Sequence, residues 1–304
     1  MGLESDLLID RRRLKRRLSL WRAAAVLLVA AGIILLAGRA VDAPLLGRGH
    51  VARLAVQGFI GDDRKLIEAI DKRGKDRATR ALIVAIDSPG GSVGGGEALY
   101  AALERLRQSK PVVAVMRGTA ASAGYMTALG ADRILAREST VTGSIGVLLQ
   151  SFDASELLGR LGVRAESIAS GPLKDQPSPF RPLSPEGREA LARVVADMHD
   201  QFVAKVVTAR HMEEEAVRGL ADGRIFSGRQ ALAAGLVDAI GGEPEARAWL
   251  AAERQVPEDL PVQDLETRGV SERLLGSLFG GMVKTVLSEW LGVDGFRMVW
   301  QPPG

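Results

Sequence analysis

The chain reads Ala-Leu-Ile-Val-Ala-Ile-Asp-Ser-Pro-Gly-Gly from Ala81 to Gly91. Its first six residues form a continuous apolar run of strand length, as in a strand that is buried on both faces. A turn sequence with a glycine pair follows directly. Strands buried on both faces belong mostly to parallel sheets covered by helices, so this stretch predicts an α/β domain.

Strands and helices alternate on both sides of this stretch. We expect further strands at Val51–Val56, Val112–Met116 and Arg133–Ala136, and helices at Asp63–Arg73, Glu97–Arg107, Ser122–Gly130 and Pro185–Arg210, with another helix starting at His211. This order indicates an α/β fold with largely parallel strands. Functional residues are then expected where the strands end and turn into helices. The glycine pair and Ser122 both lie at such positions.

Composition and charge exclude several classes of protein. The 304 residues are 46% hydrophobic and 25% charged, which is typical of a globular protein and not of a disordered one. Residues 1–22 hold seven basic and three acidic residues, a formal charge of +4, whereas the whole chain carries +3, so the remainder carries −1. The basic charge therefore belongs to the N-terminus, and no nucleic-acid partner is expected. The absence of cysteine excludes disulfides and thiolate chemistry.

Residues 23–38 are sixteen uncharged residues between Arg22 and Arg39. This length is marginal for a membrane span, and Ala40-Val41 could extend it. We interpret residues 23–41 as a transmembrane anchor in contact with lipid; a cleaved signal peptide and a buried soluble helix are the alternatives. The positive-inside rule places residues 1–22 in the cytoplasm and the rest beyond the membrane, in the periplasm if this is a bacterial inner membrane.

Three motifs together indicate an acyl-transfer site. The glycine pair Gly90-Gly91 follows one buried strand, Ser122 follows the next within Gly-Thr-Ala-Ala-Ser-Ala-Gly-Tyr, and Lys174 lies in Ser-Gly-Pro-Leu-Lys-Asp. Taken alone, each has a plainer explanation: a flexible turn, a helix N-cap, or a surface lysine next to Asp175. Together they supply a nucleophile, backbone amides for an oxyanion and a proton acceptor. No histidine lies in a comparable motif, and the glycine-rich run matches neither the P-loop nor the dinucleotide pattern.

The full motif set resembles the signal peptide peptidase A family of serine proteases, from about Val51 to Gly242. It consists of residues 86–93 (IDSPGGSV), 121–125 (ASAGY), 142–147 (TGSIGV), 170–175 (SGPLKD) and 221–229 (ADGRIFSGR). The resemblance implies a crotonase/Clp-protease-like fold, a stacked spiral of β-α units. It implies no metal and no organic cofactor.

The resemblance also assigns a role to each candidate residue. It implies Ser122 as nucleophile, Lys174 as general base, the backbone N–H groups of Gly91 and Ala123 as the oxyanion hole, and Ser144 as a hydroxyl that orients the lysine. The family commonly has glycine where Ala123 stands, so the added methyl could narrow the pocket. A lysine base must be neutral, so we expect Lys174 to be buried among apolar neighbours.

These inferences predict a membrane-anchored serine endopeptidase that cleaves leftover signal peptides and other membrane-associated peptides. The expected layout is a linker at 42–50, a protease domain at 51–250 and a tail at 251–304 without an assigned role. By resemblance, the chain forms a homo-oligomeric ring. The alternatives are an anchored protease with one specific membrane partner, an acyl-CoA enzyme of the crotonase fold, and a catalytically inactive scaffold.

Overall fold

The computed structural model describes residues 49–265, together with residues 21–22, 25–26 and 28–29, which are helical. Among these described residues, no helix is long and apolar enough to span a bilayer. The predicted cytoplasmic segment, the anchor at 23–41 and most of the linker lie largely outside the described residues, as do residues 266–304 of the tail.

One sheet organises the described domain. Its strands are β1 (His50–Ile60), β2 (Thr79–Gly91), β3 (Val112–Ala121), β4 (Arg133–Ala136), β5 (Val141–Gly143), β6 (Ile225–Ser227), β7 (Ala239–Ile240) and β8 (Val262–Asp264). The strand order is β6-β5-β3-β2-β1-β8, with β4 between β3 and β7. All the pairs are parallel except β5 with β6, so the predicted α/β class with largely parallel strands is confirmed.

Helices connect the strands and cover the sheet. They are α1 (Arg64–Lys75), α2 (Val93–Arg107), α3 (Ala123–Ala128), α4 (Ser155–Arg160), α5 (Pro185–Arg210), α6 (Glu214–Leu220), α7 (Gly228–Ala233) and α8 (Glu243–Arg254). The first three helices, α1, α2 and α3, connect successive parallel strands, which a tight hairpin turn cannot do. Each short strand-to-helix turn therefore brings backbone amides to the same edge of the sheet.

The central strand β2 is buried on both faces, as its apolar run predicts. Leu82, Val84 and Ile86 pack in one hydrophobic cluster with α1, α2, α3 and α5. Ala81 and Ile83 pack in a second cluster with α8 on the opposite face. Burial of each large aliphatic side chain contributes roughly 1.5–3 kcal/mol. The two clusters thus fix β2 and its neighbours as a rigid platform.

The sheet divides along β3. The first part of β3 pairs with β4 through residues 113–116, and the last part pairs with β5 through residues 119–121. Side chains satisfy the backbone at the division: the Thr140 hydroxyl donates to the carbonyl oxygen of Arg117 at 2.6 Å, and the Thr119 N–H donates to Asp87 at 3.0 Å. From residue 119 onward, β3 therefore runs beside β5 and no longer beside β4.

Several boundaries differ from the sequence prediction. β2 continues to Gly91 and β3 to Ala121, because both ends remain paired with neighbouring strands. His211 does not start a helix: it ends α5 in the left-handed conformation, with φ 53°, and its N–H donates to Val207. The sheet also extends past residue 250, since β8 pairs with β1.

The Tyr125 hydroxyl tests how α3, the helix that follows Ser122, is held in place. Tyr125 is fully buried and donates to the carbonyl oxygen of Leu236 at 2.9 Å. Tyr125→Phe leaves that buried carbonyl without its partner, so we expect the free energy of unfolding to fall by about 1–3 kcal/mol, measured by urea denaturation. Tyr100→Phe is the control, because Tyr100 donates to Glu104, which is partly exposed and can turn to water. Equal losses in both variants would contradict this account.

Candidate functional site

Ser122 occupies the turn from β3 into α3 in a backbone conformation that residues other than glycine rarely adopt. Its φ is 53° and its ψ is −121°. Such conformations cost on the order of 1–3 kcal/mol and are retained where the surroundings enforce them, often at active sites. Although Ser122 stands at the N-cap position, its hydroxyl caps no helix N–H. The plain N-cap explanation therefore fails, and a partly exposed hydroxyl is left available.

The glycine pair at the end of β2 lies against Ser122. A Cβ added at Gly90 would be 2.9 Å from the Ser122 Cβ and 3.3 Å from its Oγ, and Gly90 has φ 126°. A Cβ added at Gly91 would be 2.0 Å from the carbonyl oxygen of Ile60 in β1. Both positions therefore require glycine, and the sequence brings the backbone of Gly90-Gly91 beside the serine.

The methyl group of Ala123 does not face a pocket. Ala123 is 3% exposed, and a Cβ added at Gly96 in α2 would be 2.9 Å from the Ala123 Cβ. The methyl thus points at the space that Gly96 leaves open. The expectation that this methyl could narrow the pocket is wrong for this reason.

Ser144 stands at the end of the strand next to Ser122. Ala121 pairs with Gly143 across β3 and β5, and the Ser122 N–H donates to the Gly143 carbonyl oxygen at 2.9 Å. Ser144 itself has φ 49°. Four described non-glycine residues have positive φ; two of them, His211 and Gln255, end helices, and the other two are Ser122 and Ser144. Backbone geometry thus singles out both candidate serines.

Lys174 lies on a turn outside the sheet, and its side chain is exposed. Its N–H donates to Gly171 at 3.2 Å. The neighbouring Asp175 pairs with Arg181 and not with Lys174, and within the described chain no hydrogen bond joins Lys174 to either serine. The structure therefore brings together Ser122, Gly91, Ala123 and Ser144, but the expected burial of Lys174 is not found in the single chain.

Lys174 lies within residues 148–180, a segment that we call the apolar arm. It contains the short helix α4, which has no buried residue. Nine large apolar side chains of the arm are exposed: Leu148, Leu149, Phe152, Leu157, Leu161, Val163, Ile168, Leu173 and Phe180. Leu148 is 82% and Ile168 97% exposed. Large exposed apolar patches are typical of interaction surfaces.

Two buried hydroxyls near the site escaped the sequence analysis. Ser88 is fully buried, and its Oγ lies 3.1 Å from the Gly90 nitrogen. Thr142 is also fully buried and donates to the Ala120 carbonyl oxygen at 2.7 Å. The available signal was their position in the sequence: Ser88 lies two residues before Gly90, and Thr142 lies directly before Gly143. Within the described residues, no group of three or more histidine or acidic side chains could hold a metal ion.

Comparisons with known proteins place this geometry in context. The family model described as peptidase family S49 matches residues 104–257. A protein of Synechocystis sp., named provisionally as a protease, is 41% identical over 205 residues, covering 67% of this chain and 74% of that protein. A protein of Enterococcus faecium, named provisionally as signal peptide peptidase A, is 31% identical over 258 residues, covering 80% and 73%. Among solved structures, a mutant of the 1510-N membrane-bound stomatin-specific protease superposes with a TM-score of 0.48 and 16% identity, covering 73% and 99%.

The requirement for glycine at position 91 can be measured. In Gly91→Ala the new methyl would collide with the β1 backbone, so we expect stability to fall by roughly 3 kcal/mol or more, seen as a lower thermal midpoint. Gly94→Ala is the matched control: Gly94 is exposed near the start of α2, and a Cβ there meets nothing within 4 Å. That control should gain about 0.5–1 kcal/mol. Similar midpoints for the two variants would contradict the close approach.

Proposed function

The chain belongs to the S49 family of serine peptidases, and we propose that it cleaves peptides with Ser122 as nucleophile and Lys174 as general base. This membership confirms the resemblance carried by the motifs, and as a member of a peptidase family the chain acts on peptide substrates. The observation that carries the proposed role of Ser122 is its strained backbone, with a hydroxyl that caps nothing and lies against Gly90.

The proposed chemistry gives each of these groups one task. Ser122 Oγ attacks the substrate carbonyl carbon while Lys174 Nζ takes its proton and then delivers it to the leaving amine. The backbone N–H groups of Gly91 and Ala123 stabilise the negative oxygen of the tetrahedral intermediate. Ser144 orients the lysine. Water then hydrolyses the acyl-enzyme, with Lys174 again accepting a proton.

The lysine that completes each site comes from a neighbouring subunit in a ring. A lysine acts as a base only in its neutral form, which burial favours, and Lys174 is exposed in the single chain. The apolar arm that carries it offers a surface that a second copy of the chain would cover. Repeated head-to-tail contacts of this kind close into a ring when the rotation permits. Assembly then buries both the arm and the lysine.

We further propose that the substrates are leftover signal peptides and other membrane-associated peptides. The similarity to a protein named as signal peptide peptidase A supports this class. Residues 23–41 are proposed to anchor the chain in a bacterial inner membrane, with residues 1–22 in the cytoplasm and the peptidase domain in the periplasm. An anchored enzyme would meet such peptides where they remain after secretion.

An inactive scaffold of the same fold is the main alternative. It would need neither a strained serine nor a glycine pair pressed against that serine. A scaffold tolerates ordinary residues at both positions, whereas a nucleophile requires its hydroxyl to be free and its oxyanion donors to be close. The local geometry therefore favours the peptidase.

Loss of either proposed catalytic side chain should abolish cleavage. Ser122→Ala and Lys174→Ala should each reduce turnover of a fluorogenic peptide to background, and the double variant should be no worse, because the two groups act as one unit. Lys72→Ala, which removes a lysine in the last turn of α1, serves as the control and should keep full activity.

A fluorophosphonate probe supplies the direct readout for the same variants. Mass spectrometry should find the label on Ser122 in the wild type and no label in Ser122→Ala. Near-native turnover in Lys174→Ala would show that the base is wrongly assigned, and labelling of another serine would show the same for the nucleophile.

Mixing inactive variants tests the shared site. When Ser122→Ala and Lys174→Ala are unfolded, mixed equally and reassembled, about a quarter of the boundaries should join an intact serine to an intact lysine. About a quarter of wild-type activity should return. Replacing the Lys174→Ala partner by the double variant is the control, since no boundary can then be complete. No recovery in rings shown to be mixed would mean that each subunit holds its own complete site.

A further inference from the structure

The fully buried side chain of Ser88 lies where two strand registers shift. The β1–β2 register shifts between Gln57 and Phe59, and the β2–β3 register shifts between Ile86 and Ser88. Regular ladder hydrogen bonds are interrupted at such bulges. Ser88 is 0% exposed, so its hydroxyl must find its partners within the protein.

The Ser88 hydroxyl bridges β1 to the glycine pair. Its Oγ lies 2.6 Å from the Gly58 carbonyl oxygen and accepts from the Gly90 N–H at 3.1 Å. The same Oγ lies 3.2 Å from the carbonyl oxygen of Gly90. The one hydroxyl proton is shared between the two carbonyl oxygens in a three-centre hydrogen bond, in which the contact to Gly58 is the shorter arm and the contact to Gly90 the longer one. The hydroxyl therefore touches both polar groups of Gly90.

The contact to the Gly90 carbonyl bears on the Gly91 N–H, because these two groups belong to the same peptide unit. In a planar trans peptide the C=O and the N–H point in opposite directions. With the carbonyl directed at Ser88, the Gly91 N–H is directed away from Ser88. A rotation of this peptide would turn the proposed oxyanion donor away from its working direction.

A glycine pair needs such a restraint. Gly90 and Gly91 have no side chains because Ser122 and Ile60 lie too close for any Cβ. β1 pairs with both residues, Phe59 with Gly90 and Ile60 with Gly91, but these pairs follow a register shift. Because glycine has the largest backbone freedom of any residue, the peptide between the two keeps more freedom to rotate than a peptide in a regular ladder. Glycine at these positions thus has two effects: it lets the backbone approach Ser122 closely, and it leaves the orientation of the Gly90–Gly91 peptide less fixed.

We propose that Ser88 is a positioning residue that holds the Gly90–Gly91 peptide so that the Gly91 N–H faces the oxyanion. This inference rests on the proposed function, since it assumes that the Gly91 N–H stabilises the tetrahedral intermediate. Ser88 does not touch substrate. It acts through the orientation of one peptide, which is a contribution made in the transition state and not in substrate binding.

The test compares Ser88→Ala with a matched removal of another buried hydroxyl. Thr79 is also buried, but it lies at the opposite end of β2, where its hydroxyl donates to the Asp76 carboxylate at 2.8 Å and lies 3.1 Å from the His50 ring. Thr79→Val removes that hydroxyl at nearly constant volume. Both variants should lose stability, so stability alone does not separate them.

Catalysis should separate the two variants. Ser88→Ala should lower kcat by about 10- to 100-fold with KM nearly unchanged, and should weaken inhibition by a peptide aldehyde, whose hemiacetal oxygen occupies the oxyanion hole, by a similar factor. Thr79→Val should keep kcat within about threefold of the wild type. A kcat loss confined to Ser88→Ala supports the proposal. An unchanged kcat in Ser88→Ala, or equal losses in both variants, overturns it.

Two further measurements keep the outcome decisive. If Ser88→Ala does not fold, Ser88→Cys replaces the hydroxyl with a weak donor of similar shape and should show the same selective loss of kcat. Crystal structures of the variant test the peptide directly: a rotated or doubly oriented Gly90–Gly91 peptide supports the restraint, and an unchanged one overturns it. If the wild type neither cleaves peptides nor reacts with a fluorophosphonate at Ser122, the proposed function fails, while the crystal structure still decides the role of Ser88.

Discussion

The close approach of the Gly90 backbone to the side chain of Ser122 is the constraint on which the rest of the site depends. The gap admits no Cβ at Gly90, and Gly91 is equally tight against β1. This approach requires parallel strands whose ends meet at one edge of the sheet. It also requires that β3 changes its partner from β4 to β5 and then turns sharply into α3. The strain at Ser122 is tolerated because all the residues of α3, including the fully buried Tyr125, pack in the protein interior.

Much of this fold could be predicted from periodicity and burial. Arg133–Ala136 and Pro185–Arg210 have the bounds expected from the sequence, because a short apolar run and a long amphipathic pattern are local signals. The two- and three-residue strands β5, β6, β7 and β8 were not expected. Their pairing is decided by distant partners, and two or three residues carry no usable period.

The candidate site could also be predicted only in part. Residue types and their order pointed to Ser122 and the glycine pair, and the family resemblance added Ala123; backbone geometry now provides physical reasons for Ser122 and the glycine pair. The position of the Ala123 methyl could not be foreseen, because it depends on the empty side of Gly96, 27 positions earlier in the chain. The exposure of Lys174 was likewise hidden, since a sequence does not tell which surfaces a single chain leaves uncovered. Ser88 was overlooked because a serine in a turn usually has only a local role.

The division of β3 between β4 and β5 separates two kinds of stability. The half paired with β4 belongs to the buried platform, whereas the half that leads to Ser122 is held by the three-residue strand β5 and by β6 at the edge. Opening of β5 and β6 exposes far less apolar surface than opening of the platform, so it costs less free energy. Amide hydrogens at residues 119–121 should therefore exchange with solvent sooner than those at 113–116. On heating, we expect the geometry around Ser122 to be lost while most of the secondary structure is still intact.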